Sequence, residues 1–164
     1  MLLMFVVGVP VALAAGIVLS RRVAPDSVQA LAAMFGTIAA ALGWLLLGWT
    51  VLGPTYVEST VTLTSGGTAG QPTVRHRSLL EVGISDLTIA MIAVEVVCFG
   101  FVLLGGLAAW RGFGRARWMM LAGTIPLVAI GLVSWGLAAV GPAVILASFA
   151  TTLAFVGLRI PSPP

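Results

Sequence analysis

The chain has 164 residues, of which 60% are apolar and only 8% are charged. Because a soluble domain carries about 25% charged residues, this composition excludes a water-soluble globular protein and indicates an integral membrane protein. The net charge of +3 rests on eight arginines and no lysine. The arginines stand in small clusters at segment ends, so nucleic acid is not an expected partner. A single cysteine, Cys98, excludes an internal disulfide and a cysteine-based metal cluster.

Five apolar segments reach the roughly 20 residues that a helix needs to cross the hydrocarbon core of a bilayer. The predicted spans cover residues 1–20, 28–53, 87–110, 118–139 and 142–158. Asp26 and Ser27 are N-cap candidates for the second span, and Ser85 and Asp86 stand at the start of the third. The predicted fold is therefore an all-α membrane protein, a single domain over residues 1–164 that forms a bundle of five transmembrane helices.

The arginines predict the orientation of these spans. Six of them fall on one side of a five-span chain: Arg21, Arg22, Arg111, Arg115, Arg117 and Arg159. Only Arg75 and Arg77 fall on the other side. Because positive residues in short loops favour the cytoplasm, we expect a multi-pass plasma membrane protein with its N-terminus outside and its C-terminus in the cytoplasm.

The ends of the spans carry two further signals. Residues 11–15 are similar to a signal-peptide cleavage region, but the positive charges follow the apolar run instead of preceding it, which favours a retained helix. Tryptophans stand near both predicted boundaries, as in an interfacial aromatic belt. Trp49 and Trp135 are expected at the outer boundary, and Trp110 and Trp118 at the inner one.

The one long polar segment, residues 54–85, is predicted to lie outside the cell. Residues 56–64 and 74–82 alternate and are rich in β-branched side chains, and turn-forming residues separate them. This pattern favours a β-hairpin over a mobile loop. A small basic cluster stands in its second half: Arg75, His76 and Arg77. These residues are candidate contacts for an acidic partner or lipid headgroups. The favoured interpretation is a solvated strand edge, where charge discourages edge-to-edge pairing.

Glu95 is the strongest functional candidate, because it lies well inside the third span, 8 residues from its start and 15 from its end. Ionisable groups at that depth are costly and usually face a protein interior or a water-filled path. A carboxyl group at that depth is usually protonated, since burial penalises its charged form. No span contains Lys or Arg. The partners available to Glu95 are therefore neutral hydroxyl groups of neighbouring spans: Thr37, Thr50, Thr124, Ser134, Ser148, Thr151 and Thr152.

Two interpretations of Glu95 follow. In one, it exchanges a proton or binds a cation along a transport path. In the other, which the absence of an internal repeat favours, a protonated Glu95 donates a hydrogen bond to another helix or subunit and specifies assembly. Cys98 lies one turn further along the same helix face and is most simply a small buried apolar residue.

Small residues recur at helical spacing on two of the predicted spans. Such faces allow membrane helices to approach closely, either inside the bundle or against another protein. The candidate packing faces are Ala32, Gly36 and Ala40 in the second span, and Ala143, Ala147 and Thr151 in the fifth.

The sequence contains no recognisable catalytic, metal-binding or cofactor-binding motif. We therefore expect a protein that is not an enzyme and carries no cofactor. The favoured function is an accessory or assembly subunit of a larger membrane complex, held in the lipid bilayer with a membrane protein partner or a second copy. The alternative is a small transporter or channel component that uses Glu95 for proton or cation handling. An enzyme acting on lipid is a third possibility, with no supporting set of residues.

Two short motifs flank the outer loop: Gly53-Pro54-Thr55-Tyr56 after the second span, and Ser78-Leu79-Leu80-Glu81-Val82-Gly83 before the third. With the Ser/Thr/Gly-rich stretch between them, the loop resembles one in small polytopic membrane proteins of Gram-positive, actinobacterial-type bacteria. Where such loops end in Glu-Val-Asn-Gly, this chain ends in Glu-Val-Gly. The resemblance implies a plasma membrane protein of that bacterial type, and it transfers no functional residues.

Overall fold

Five long helices, one short helical turn and a two-stranded hairpin account for most of the chain. The computed structural model describes residues 2–60, 73–133 and 140–157. Within them the elements are α1 (Leu2–Ser20), α2 (Pro25–Leu52), β1 (Tyr56–Thr60), β2 (Thr73–Arg77), α3 (Leu79–Val82), α4 (Asp86–Trp110), α5 (Ala116–Val133) and α6 (Gly141–Gly157). Three of the described helices, α2, α4 and α5, are long and apolar enough to cross a membrane. Helices α1 and α6 contribute shorter apolar stretches, residues 5–20 and 141–156.

The start of α2 differs from the sequence prediction. The helix begins at Pro25 after Ala24, which makes no side-chain cap, so the prediction that Asp26 or Ser27 caps it is wrong. Proline suits the first helical position, because its fixed φ is already helical and its missing N–H needs no partner there. Asp26 instead lies in the first turn, where a carboxylate interacts favourably with the positive end of the helix dipole.

Some predictions concern residues outside the described ranges. These are residues 134–139 of the fourth span, which include Ser134 and Trp135, together with residues 61–64 of the first predicted strand, Leu158 of the fifth span, and Arg159.

Helices α2, α4, α5 and α6 form a closed ring in which each helix packs against two neighbours. Helix α1 lies outside this ring and packs mainly against α6. Glycines stand where the helices approach most closely. A Cβ atom added at Gly106 of α4 would lie 3.3 Å from the Ala33 carbonyl oxygen of α2, and one added at Gly123 of α5 would lie 2.5 Å from the Cys98 carbonyl oxygen of α4. Such backbone contact is how membrane helices gain packing energy without a hydrophobic driving force.

Strands β1 and β2 pair in antiparallel register, which confirms the hairpin that the alternating pattern predicts. Tyr56 pairs with Arg77 at one end and Thr60 with Thr73 at the other. The hydroxyl groups of Thr60 and Thr73 lie 3.0 Å apart and add a cross-strand hydrogen bond.

The second strand is shorter than predicted, because Leu79–Val82 forms a helical turn. Ser78 and Glu81 build a capping box: the Ser78 hydroxyl accepts from the Glu81 N–H, and the Glu81 carboxylate accepts from the Ser78 N–H. The following helix, α4, starts as predicted. The Ser85 side chain accepts a hydrogen bond from the Thr88 N–H at 3.2 Å and caps it.

Candidate functional site

Glu95 lies inside the ring of helices and is 1% exposed. It occupies the inward face of α4 together with Cys98 and Phe99, which are also buried, while Val94 and Val97 on the opposite face are exposed. The structure therefore brings Glu95 and Cys98 together, one helical turn apart, in a helix that is long and apolar enough to cross a membrane.

Glu95 lies one helical turn from Cys98 and Phe99, which belong to an apolar core cluster. The residue after it, Val96, accepts a hydrogen bond through its carbonyl oxygen from the Trp44 indole N–H at 3.2 Å, which anchors α4 to α2 at this level. This core cluster includes large side chains from all four helices of the ring, among them Leu47, Phe99, Leu127 and Val144. The Glu95 side chain therefore faces the interior of its own bundle and not the outer surface of the bundle.

Neither carboxyl oxygen of Glu95 has a hydrogen-bond partner among the residues that the structure describes. The expected hydroxyl partners are engaged elsewhere. Five of them donate to the carbonyl oxygen four residues back along their own helix: Thr37, Thr50, Ser148, Thr151 and Thr152. Thr124 lies 2.8 Å from the Thr151 hydroxyl and is the donor in that pair, because the Thr151 hydrogen is already directed at a carbonyl. None of these described hydroxyl groups, which the sequence makes available as partners, binds Glu95.

An unpartnered carboxyl group in such surroundings has a restricted chemistry. Leaving it without a partner costs about 1–3 kcal/mol in the neutral form and more in the charged form. It can take up one proton, or it can offer one negative charge to a cation that reaches it. Among the described residues, no group of three or more His, Cys, Asp or Glu side chains is placed to hold a metal ion. A single-charge site of this kind is suited to a proton or a monovalent cation.

Both small-residue faces pack inside the chain. On α2, a Cβ atom added at Gly36 would lie 3.6 Å from the Gly106 Cα of α4 and 3.0 Å from the Met120 Cε of α5. On α6, Thr151 contacts Thr124 of α5. All members of the two faces are buried: Ala32, Gly36, Ala40, Ala143, Ala147 and Thr151. Packing within the ring accounts for them, so they are not open surfaces for another protein.

The basic cluster of the hairpin is divided between two faces, since side chains alternate along a strand. Arg75 and Arg77 point to one side, and Arg77 forms an ion pair with Glu58, Nε to Oε2 at 3.0 Å. His76 points to the other side, beside Val57. Arg75 and His76 are exposed and form no ion pair within the described part of the chain.

Comparisons with protein-family models, with curated proteins and with solved structures gave no match to this chain. Function is therefore inferred from the residues themselves. The resemblance of the outer loop to those of actinobacterial-type membrane proteins stays a prediction.

Proposed function

We propose that this protein is a small transporter or channel component in the plasma membrane, in which Glu95 binds and releases a proton or a monovalent cation. The observation that carries this proposal is the isolation of Glu95, which is 1% exposed and has no hydrogen-bond partner among the described residues. A Glu95 that served to hold helices together would be expected to bond to a neighbouring hydroxyl. A buried carboxyl group without a hydrogen-bond partner is more typical of a pathway for ions or protons than of a contact between helices.

In this proposal α1 and α6 cross the membrane as well, so that the chain has five spans. With a rise of 1.5 Å per residue, the 19 residues of α1 and the 17 of α6 extend about 28 and 26 Å. A slightly thinned bilayer accommodates helices of that length. The odd number of spans, with Arg111 and Arg115 in a cytoplasmic loop, puts the N-terminus outside and the C-terminus inside.

Single cysteines test this orientation on a Cys98→Ala background. A membrane-impermeant maleimide added to intact cells is expected to label Ser59→Cys, in the hairpin, and to label Gly114→Cys, in the loop between α4 and α5, only after permeabilisation. Both positions are exposed, so access depends on the side of the membrane alone. The reverse pattern would mean that the orientation is opposite to the one proposed. Labelling of both sites in intact cells would mean that α4 does not cross the membrane.

Flux through liposomes tests the role of Glu95. Purified protein is reconstituted into liposomes that contain a fluorescent dye selective for H⁺, Na⁺ or K⁺, and the gradient of each ion is imposed and followed separately. The wild type is expected to dissipate at least one gradient, and Glu95→Gln is expected to fall to the level of empty liposomes, because an amide cannot release a proton or carry a charge. Glu81→Gln is the matched control, since glutamine retains the capping box of an exposed turn. Flux that survives Glu95→Gln, or a wild type equal to empty liposomes, would reject the proposal.

A second function, an accessory subunit of a membrane complex, is supported by the outer hairpin. Val57 and Val74 lie on one face of it and are 61% and 57% exposed. A two-stranded hairpin is only marginally stable alone, and adjacent exposed apolar side chains are typical of surfaces that contact another protein.

Purification in mild detergent, with mass spectrometry of co-migrating proteins, tests this second function. A partner at fixed stoichiometry is expected to be lost from the double variant Val57→Thr/Val74→Thr, which keeps β-branched side chains but makes the face polar. The control, Thr60→Val/Thr73→Val, alters the opposite face and is expected to retain the partner. Retention by both variants would rule out this face as the contact, and the absence of any partner would rule out the subunit function.

A further inference from the structure

An apolar groove runs along the outside of the ring between α2 and α4. It has a volume of about 430 Å³, and its walls include Ala30, Met34 and Ile38 of α2, and Leu107 and Trp110 of α4. The one hydroxyl group in its lining, that of Thr37, is directed at the carbonyl oxygen of Ala33. From Ala30 to Ile38 the groove follows α2 for about 12 Å.

The groove continues into a second cavity that carries a positive charge. This cavity, of about 390 Å³, shares Leu107 and Trp110 with the groove and adds Arg111. Arg111 is the C-cap residue of α4, is exposed, and has no ion pair among the described residues. The nearest acidic residue by position in the fold is Asp26, in the first turn of α2 at the same end of the ring.

We propose that the groove binds an anionic phospholipid, with one acyl chain along the apolar wall and the headgroup phosphate on Arg111. The groups along the groove follow the order of the parts of a lipid. The apolar wall comes first, Trp110, which is 73% exposed, comes next, and the Arg111 guanidinium comes last. Tryptophan is the residue typical of the headgroup boundary, and arginine binds phosphate through paired N–H donors. The proposal requires that α2 and α4 cross the bilayer, but it does not depend on Glu95 or on the proposed transport function.

The walls fit an acyl chain better than another helix. A partner helix is expected to dock on a stripe of small residues that lets the backbones approach. Here the rim is made of long side chains, namely Met34, Ile38 and Leu107.

Native mass spectrometry of the protein in mild detergent, with equal amounts of phosphatidylglycerol and phosphatidylcholine of the same acyl chains, tests the proposal. The wild type is expected to retain one phosphatidylglycerol molecule with a preference of about fivefold, the contribution of one arginine near a membrane surface. Arg111→Gln is expected to remove this preference. Arg115→Gln is the matched control, because Arg115 lines a different cavity, and it is expected to keep the preference.

A second pair of variants tests the apolar wall. Ala30→Trp places a large side chain in the groove and is expected to lose the bound lipid, whereas Ala41→Trp, at an exposed position of the same helix outside the groove, is expected to retain it. If Ala30→Trp fails to fold, as judged by gel filtration, the Arg111→Gln comparison still decides, because that side chain is exposed.

Several outcomes would overturn the proposal. These are equal retention of the two lipids by the wild type, an unchanged preference in Arg111→Gln, or displacement of the lipid by excess inorganic phosphate, which would assign the site to free phosphate. A dimer that Ala30→Trp dissociates would assign the groove to a second copy of the chain.

Discussion

Replacing Glu95 by methionine is expected to stabilise the folded protein against unfolding by SDS by about 1–3 kcal/mol, the cost of an unsatisfied buried polar group. The two side chains have similar volumes, so the exchange neither opens a cavity nor overpacks the core. In the SDS-unfolded state the carboxyl group regains contact with water, and its penalty in the folded wild type is therefore measured directly. The helical circular dichroism signal, followed as SDS replaces a mild detergent, gives the free energy of unfolding.

Val94→Met is the matched control, because Val94 is the exposed residue next to Glu95 in α4. It is expected to leave the free energy of unfolding unchanged. A Glu95→Met protein less stable than the wild type would mean that the carboxyl group makes a stabilising bond in the bundle. Greater stability together with lost flux is the trade-off expected of a residue retained for function.

Gly123→Val is expected to destabilise the bundle by about 3 kcal/mol or more, the range of severe overpacking. The new Cβ atom would lie 2.5 Å from the Cys98 carbonyl oxygen and 3.0 Å from the Val102 Cγ2 atom. Because the first of these atoms belongs to the backbone, no change of side-chain rotamer relieves the overlap. Helices α4 and α5 must move apart, one turn away from Glu95.

Gly100→Val in α4 is the control for the change in helix propensity, since a Cβ atom added there meets nothing within 4 Å. It is expected to unfold close to the wild-type temperature in detergent, whereas Gly123→Val unfolds well below it or fails to accumulate. Equal unfolding temperatures for the two variants would contradict the close approach of α4 and α5.

The positions of the long helices follow from local signals in the chain. The predicted segments 28–53 and 87–110 correspond to helices Pro25–Leu52 and Asp86–Trp110, because long apolar runs ending at Gly-Pro or beginning after Ser have few alternatives. The errors were local too. Helix α2 begins earlier than predicted because Pro25 itself opens the helix, and the second strand is shorter than predicted because the Ser78–Glu81 capping box begins a helical turn.

The packing of these helices could not be predicted from local sequence signals. Lipid tails are as apolar as leucine, so hydropathy does not distinguish a residue that faces lipid from one that faces the core. On α4, Val94 is exposed and Val102 is fully buried, although both are valines. The groove that ends at Arg111 arises between two helices far apart in sequence and carries no motif of its own.

By itself, the sequence determined that this is a mainly helical chain rich enough in apolar residues to enter a membrane, with a polar hairpin and one carboxyl group at the depth of a span. These properties depend on composition and on neighbouring residues. Only the tertiary structure decided that Glu95 faces the interior of its own bundle and that the described hydroxyl groups are bonded elsewhere. It also decided that the small-residue faces pack against neighbouring helices of the ring. The physical reason is that helix packing in an apolar chain depends on shape and on close backbone contact, which hydropathy does not encode.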